Sequence, residues 1–302
     1  MKILLFGASG QVGWELQRSL APLGFLIALD RHGQDGLCGD LTDCSRIAET
    51  VKTVRPDVIV NAAAYTAVDK AEAEQELARA INTQAPAVLA FEAKAIDALL
   101  IHYSTDYVFD GSGNRPWKEV DFPAPLSVYG KTKLEGEAAI RAAGCRHLIL
   151  RTSWVYAARG HNFLRTILRL VQEREALKVV ADQIGAPTGA ELIADVTAHT
   201  ITSAARNIAF DGTYHLTAAG ETSWYEYALL VLKVASNLSL PLKATPETVN
   251  PVPSSEYLTP APRPRNSKLS VEKLEQTFTL RMPSWQQGVT RVVTELLSKE
   301  HN

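Results

Sequence analysis

The chain has 302 residues, 46% of them hydrophobic, with 31 Lys plus Arg against 33 Asp plus Glu. That much apolar sequence builds one large domain or two unequal ones, and the near-balance of charge argues against nucleic acid or a membrane surface as partner, leaving a small molecule. Cys38, Cys44 and Cys145 have neither C-x-x-C spacing nor an even count, which argues against disulfides and zinc and for a reducing compartment.

The chain alternates short apolar runs with helix-like patterns. Ile3 to Phe6 reads as a buried strand, followed by Gly7-Ala8-Ser9-Gly10-Gln11-Val12-Gly13 and a helix to about Leu20. So few apolar residues before Gly7 are too short for a signal-peptide core, and no run approaches the roughly 20 apolar residues of a membrane span, so a soluble, cytoplasmic protein is expected. Phe25 to Leu29 is a second strand ending at Asp30; Thr42 or Asp43 caps a helix to Val54, and Val58 to Val60 is a third strand before Asn61. Leu77 to Ala95 predicts one long helix, Leu99 to Tyr103 a fourth strand, Gly111 to Pro125 a loop, then a helix bearing Tyr129, and His147 to Leu150 a fifth strand. Strands alternating with helices imply an α/β fold: a doubly wound parallel (Rossmann) sheet covered on both faces.

In such sheets ligands sit beyond the carboxyl ends of the strands. Gly7, Gly10 and Gly13 follow a strand and open a helix, where backbone amides and the positive helix end meet a pyrophosphate. Asp30 ends the second strand, placed to bind ribose hydroxyls and so favouring NAD, while Arg31 and His32 are placed to neutralise the 2′-phosphate of NADP. Ala62, Ala63 and Ala64 follow the third strand, where small side chains let a cofactor lie against the backbone. Ser104-Thr105-Asp106-Tyr107 ends the fourth strand, and the Thr105 hydroxyl is placed to hydrogen-bond a carbonyl oxygen on which charge develops. Tyr129 and Lys133 stand one helical turn apart. The phenol is a poor acid or base near neutral pH unless a nearby cation such as Lys133 favours its ionised form.

This order of elements resembles the extended branch of the short-chain dehydrogenase/reductase superfamily. Ser104-Thr105-Asp106-Tyr107-Val108-Phe109-Asp110-Gly111, Tyr129-Gly130-Lys131-Thr132-Lys133-Leu134-Glu135-Gly136-Glu137, Arg151-Thr152-Ser153-Trp154-Val155-Tyr156, Asp182-Gln183-Ile184-Gly185-Ala186-Pro187-Thr188 and Arg263-Pro264-Arg265-Asn266-Ser267 are similar to motifs of dTDP-4-dehydrorhamnose reductases. The resemblance covers essentially the whole chain. It implies reduction by NADPH or NADH of the 4-keto group of dTDP-4-dehydro-β-L-rhamnose, the last step of dTDP-L-rhamnose synthesis for a cell-surface polysaccharide such as lipopolysaccharide O-antigen. It further implies a cofactor held by Gly10, Gln11, Val12, Asp30, Asp40, Leu41, Ala62, Ala63, Ala64 and Tyr65, a catalytic set of Thr105, Tyr129 and Lys133, and substrate contacts from Thr105 and Asp106; Trp154, just past the fifth strand, reads either as a substrate contact packing on the sugar or thymine or as a half-buried core Trp. Sugar-nucleotide dehydratases keep Asp-Glu after the Ser/Thr; here Tyr107 follows Asp106, which argues for reduction without dehydration. Alternatives are a reductase or epimerase of another nucleotide-linked keto sugar, or a non-catalytic regulatory subunit that binds a dinucleotide.

Residues 1–152 are expected to form the dinucleotide-binding domain, with a segment near 208–217 returning a strand to it, and 153–302 mainly a mixed α/β sugar-nucleotide lobe. Helices are expected around Phe163 to Val171 and Leu192 to Ala205, and the stretch holding seven of the 15 prolines, Pro241 to Pro264, as extended loop. Arg263 and Asn266 read either as diphosphate contacts or as solvated loop. His102, inside a strand, and His161, beside Asn162, read as structural or solvated. The family resemblance also implies Mg²⁺ bound by Glu15, Glu191 and Glu295 at a homodimer interface, the oxygen ligands suiting a hard cation.

Overall fold

A computed structural model describes residues 1–205 and 207–298. Five apolar runs become the strands β1 (Lys2–Phe6), β2 (Phe25–Leu29), β3 (Val58–Asn61), β4 (Leu99–Thr105) and β5 (His147–Thr152). A sixth strand, Gly212–His215, returns from the second half and pairs parallel with β5. The sheet runs in the order Gly212–His215, β5, β4, β3, β1, β2, with every pairing parallel. This is the doubly wound α/β fold, and its strand order reverses between β1 and β3. The crevice lies at that reversal.

Alternate residues of each strand serve opposite faces. Ile3 and Leu5 join Val58, Ile101, Leu16, Ile193 and Phe278 in one core layer, while Leu4 and Phe6 join Ile59, Leu100, Val51 and Leu89 in the other. The first layer shows why chain position alone is a poor guide to the lobes. Helices Ala190–Ala204 and Glu272–Phe278 both lie beyond residue 152, yet they cover the sheet beside helix Gln11–Leu20. The remaining second half has its own core, in which Leu164, Leu168, Tyr227, Val231, Trp285 and Val289 pack between helices Phe163–Glu173, Trp224–Asn237 and Trp285–Ser298. Within the proline-rich stretch, Val249–Val252 forms a strand parallel to Leu177–Val180. Pro251 is tolerated there because the ladder has two strands, both of them edges.

The long helix expected from Leu77 to Ala95 is instead Gln75–Arg79 and Ala85–Ile96 joined by a π-helical turn, Ala80–Gln84. Pro86 has no N–H to donate to the Asn82 carbonyl, so the ladder widens at that point. Helix Val128–Ala143 packs against this turn so tightly that a Cβ on Gly136 would stand 2.2 Å from the Asn82 oxygen. The widened turn therefore faces the helix that carries Tyr129 and Lys133.

Candidate active site

A cleft of about 900 Å³ opens beyond the carboxyl ends of the strands. Its first wall is the turn after β1. Gly7 adopts φ +86°, and a Cβ on Gly13 would lie 1.9 Å from the Gly7 oxygen, so helix Gln11–Leu20 comes up directly against the strand end. Its N-cap is Gly10; no side chain caps it and no acidic residue occupies its first turn. The first amides and the positive helix end are thus left for an anion. Gly7, Gly10, Gln11 and Val12 line the cleft, whereas Gly13 supports it from behind. These residues fit a dinucleotide pyrophosphate.

Asp40, Leu41, Ala62, Ala63, Ala64 and Tyr65, expected to hold a cofactor, also line the cleft. Asp30 does not: its carboxylate accepts the His32 amide at 2.8 Å in a local turn, and Arg31 takes the place on the wall, 3.3 Å from Asp40. The turn chemistry of an Asp accepting the amide two residues on explains the difference. Asn82, absent from the predicted site, fixes the neighbouring loop. Fully buried in the π-turn, it accepts the Tyr65 amide at 2.9 Å and donates to the Tyr65 carbonyl at 3.1 Å and to Thr132 at 3.2 Å. Pro86, four residues on inside a helical pattern, was the available signal.

Thr105, Asp106, Tyr107, Tyr129 and Lys133 come together on the opposite wall. β4 delivers the first through its last pair with β5, Thr105 opposite Thr152, and Ser127 starts the Tyr129 helix by accepting the Gly130 amide at 3.1 Å. Burial pushes the Tyr129 phenol up to about 12; the Thr105 hydroxyl pulls it down and the Asp106 charge pushes it further up. Lys133 is not among the groups acting on that phenol, in contrast to the expectation. Its Nζ is engaged by β4, donating to the Tyr103 carbonyl at 2.6 Å and lying 3.2 Å from His102 Nε2. Burial holds Lys133 down at about 8, against the raising effect of Glu137. Asp106 is pushed up to about 6 by burial, offset by the hydroxyls of Ser267 and Thr105. The Tyr107 ring stands edge-on to Tyr129, centroids 5.5 Å apart.

Tyr129, Lys133 and Glu137 follow one another at single-turn spacing on the same helix. Glu137 is wholly buried: Arg151 donates to both its oxygens at 2.8 and 2.7 Å, Ser104 at 2.6 Å and Arg141 at 3.1 Å. The far end of the cleft is aromatic. Trp154, at φ +49°, stacks on Trp224 with centroids 3.6 Å apart, and Phe163 closes on Trp224 at 4.6 Å. Trp224 was not predicted, although Ser223 and Glu226 form the capping box that sets it at a helix start.

Arg263 reaches the cleft but is committed to Asp69, donating at 2.7 and 3.1 Å, and the buried Asn266 donates to the backbone carbonyls of Arg115 and Ser112. Both tie loops together. His161 lines the cleft beside Asn162, which caps helix Phe163–Glu173. Glu191 pairs with Arg291 at 2.9 Å and Glu15 lies 3.5 Å from Arg18. Burial raises the Glu191 carboxyl, as do the charges of Glu15 and Glu295, so the three share a neighbourhood. Even so, among the described residues of this single chain no group of three His, Cys, Asp or Glu is placed to hold a metal. No helix among the described residues is long and apolar enough to cross a membrane.

A family model described as the RmlD substrate binding domain matches residues 1–298. The chain belongs to this family. It is 55% identical over 298 residues to a dTDP-4-dehydrorhamnose reductase of Escherichia coli K12, with 99% of each chain covered. Among solved structures it is similar to the dTDP-4-dehydrorhamnose reductase of Clostridium acetobutylicum, 34% identical with a TM-score of 0.89 over 98% of this chain and 100% of that one. It also matches the Bacillus anthracis dTDP-4-dehydrorhamnose reductase in complex with NADP, 35% identical with a TM-score of 0.86 over 97% and 99% of the two chains.

Proposed function

We infer that this chain is an NAD(P)H-dependent dTDP-4-dehydrorhamnose reductase, an oxidoreductase that converts the 4-keto group of dTDP-4-dehydro-β-L-rhamnose to the hydroxyl of dTDP-L-rhamnose. The observation that carries the reading is one cleft with an uncapped glycine helix start on one wall and Thr105, Tyr129 and Lys133 on the other. The reduced nicotinamide, when bound, supplies the hydride. Gly7, Gly10, Gln11 and Val12 hold the pyrophosphate with backbone amides, and Ala62 to Tyr65 let the cofactor lie close to the chain. Thr105 hydrogen-bonds the sugar carbonyl oxygen and lowers the phenol's proton affinity. Tyr129 gives its proton to the oxygen as negative charge builds there. Lys133 orients the nicotinamide ribose, and Tyr107 occupies the position where a dehydratase carries its extra carboxylate.

NADPH is the cofactor we assign first, because Arg31 lines the adenosine end of the cleft while Asp30 is engaged with the His32 amide. The nucleotide-sugar end belongs to the second-half lobe, residues 153–302 less the segments that cover the sheet, with Trp154 and Asp106 as substrate contacts. A cytoplasmic homodimer is the assembly we propose; no step passes through a metal. Sedimentation should give the same association state with and without chelator, and a chelator-induced shift to monomer would restore the Mg²⁺ bridge. The catalytic reading is tested by NADPH and NADH oxidation over a panel of dTDP- and UDP-linked 4-keto sugars. Turnover with the dTDP-4-dehydrorhamnose substrate is expected, and silence across the panel despite intact cofactor binding would leave a dinucleotide-binding regulatory protein.

A further inference from the structure

His102 sits wholly buried in the middle of a hydrogen-bonded line that runs from the cofactor-facing loop to Lys133. At its start the Ala63 amide donates to Asn61 Oδ1 at 3.3 Å. That bond fixes the amide's orientation, because the opposite one would set two donors against each other. Asn61 Nδ2 then faces His102 Nδ1 at 3.2 Å, and His102 Nε2 faces Lys133 Nζ at 3.2 Å. Since Nδ2 can only donate, Nδ1 must be the bare, accepting nitrogen, and a neutral ring carries its proton on Nε2. Burial and the charge of Lys133 both keep the imidazole neutral. Its one proton therefore points at a lysine nitrogen that already donates to the Tyr103 carbonyl.

We propose that His102 is a positioning residue that sets the proton affinity of Lys133, Asn61 fixing the imidazole with its proton on Nε2 and that proton aimed at Nζ. An Nε2–H donor is satisfied by the lysine amine and opposed by the ammonium. Protonating Lys133 obliges the ring to move its proton to Nδ1 and, with it, Asn61 to turn its oxygen to the ring and away from the Ala63 amide. The cofactor-facing loop and the charge of Lys133 are in this way one hydrogen-bonded unit. The other groups facing Lys133 are Glu137 on its own helix and the Tyr103 carbonyl on β4; Glu137, held by Arg151 and Ser104, favours the ammonium. The importance of this setting for turnover rests on the role proposed above for Lys133; the tautomer itself does not.

The test uses the intact protein and no substrate, so failure of the catalytic reading leaves it interpretable. Imidazole ¹⁵N NMR of the unmutated chain is expected to show His102 protonated on Nε2 and bare on Nδ1. A titration of the Lys133 ¹³Cε shift, assigned by comparison with Lys133→Met, is then run on the wild type and on His102→Gln, whose amide oxygen offers Nζ an acceptor. The midpoint is expected to rise by about one pH unit, a tenfold gain in proton affinity. A purely structural role would lower the thermal midpoint and leave that titration in place. A bare Nε2 in the wild type, or an unmoved lysine midpoint in folded His102→Gln, overturns the proposal; should the variant not fold, the wild-type spectrum decides alone.

Discussion

Replacing Glu137 by Gln removes one charge from the helix that carries Tyr129 and Lys133 while keeping the side chain's shape. The carboxylate is fully buried and takes four hydrogen bonds, two of them from Arg151, itself only 2% exposed. The Gln amide would present N–H groups to one arm of that guanidinium and leave its charge without compensation. Breaking a buried pair from one side costs about 3–5 kcal/mol, a large share of the roughly 5–15 kcal/mol that holds a domain together. The pH dependence has a definite sign. Burial pushes the Glu137 carboxyl up, but its bonds to Arg151, Ser104 and Arg141 outweigh that and hold it below 4.5. Its stabilisation is therefore complete above the unfolded value and lost as pH falls through the folded one. Urea unfolding followed by tryptophan fluorescence at pH 7 is expected to give the full deficit for Glu137→Gln, closing as the pH falls below the ordinary glutamate value and through the lower folded one. Glu137→Leu combined with Arg151→Met should cost less than the sum of the two single changes. A deficit under about 1 kcal/mol for Glu137→Gln, as at an exposed pair, would refute the reasoning, as would additive costs in the double variant.

Arg31→Ala is expected to raise KM for NADPH about tenfold, the equivalent of one charge-assisted contact, with little change for NADH; equal effects on both would remove Arg31 from the 2′-phosphate. Asp106 is raised from 3.8 to about 6 in the fold, so its contribution is present below the unfolded value and lost as pH rises through the folded one. Asp106→Asn should accordingly be more stable than the wild type at pH 7, by on the order of 3 kcal/mol, while binding the sugar nucleotide less well; equal urea midpoints at pH 7 would contradict this. Asn82→Ala strands the Tyr65 amide and carbonyl and should cost about 1–3 kcal/mol, with a weaker Kd for NADPH as the Ala62 to Tyr65 segment loosens. Calorimetric melting and cofactor titration check both effects.

Much of the first half was legible because parallel strands buried on both faces leave unbroken apolar runs such as Ile3 to Phe6, and because Gly7, Gly10 and Gly13 have a single geometric use after such a run. Thr105, Tyr129 and Lys133 were legible for a related reason: strand end and helix turn place them before any tertiary contact is known. What was not legible depended on partners far away in sequence or on local turn chemistry. Arg263 is neutralised by Asp69, 194 residues away, and nothing near either residue announces the pair. Helix Ala190–Ala204 covers the sheet although its chain position suggests the second lobe. Asp30 was correctly placed at a strand end, but its carboxylate is captured by His32. Lys133 was expected to act on Tyr129 through its charge, whereas its nitrogen is engaged by Tyr103 and His102. His102, dismissed as structural from its strand position, gains its interest only from Asn61 and Lys133 on neighbouring elements.

The most direct measurement is steady-state oxidation of NADPH with dTDP-4-dehydro-β-L-rhamnose by the wild type and by Tyr129→Phe, alongside the Kd of each for NADPH. Loss of the phenolic proton should lower kcat by about 10²–10⁴-fold, the usual worth of a positioned general acid, with cofactor affinity nearly unchanged. A Tyr129→Phe enzyme that retains near-native turnover would contradict the assignment of Tyr129 as the proton donor.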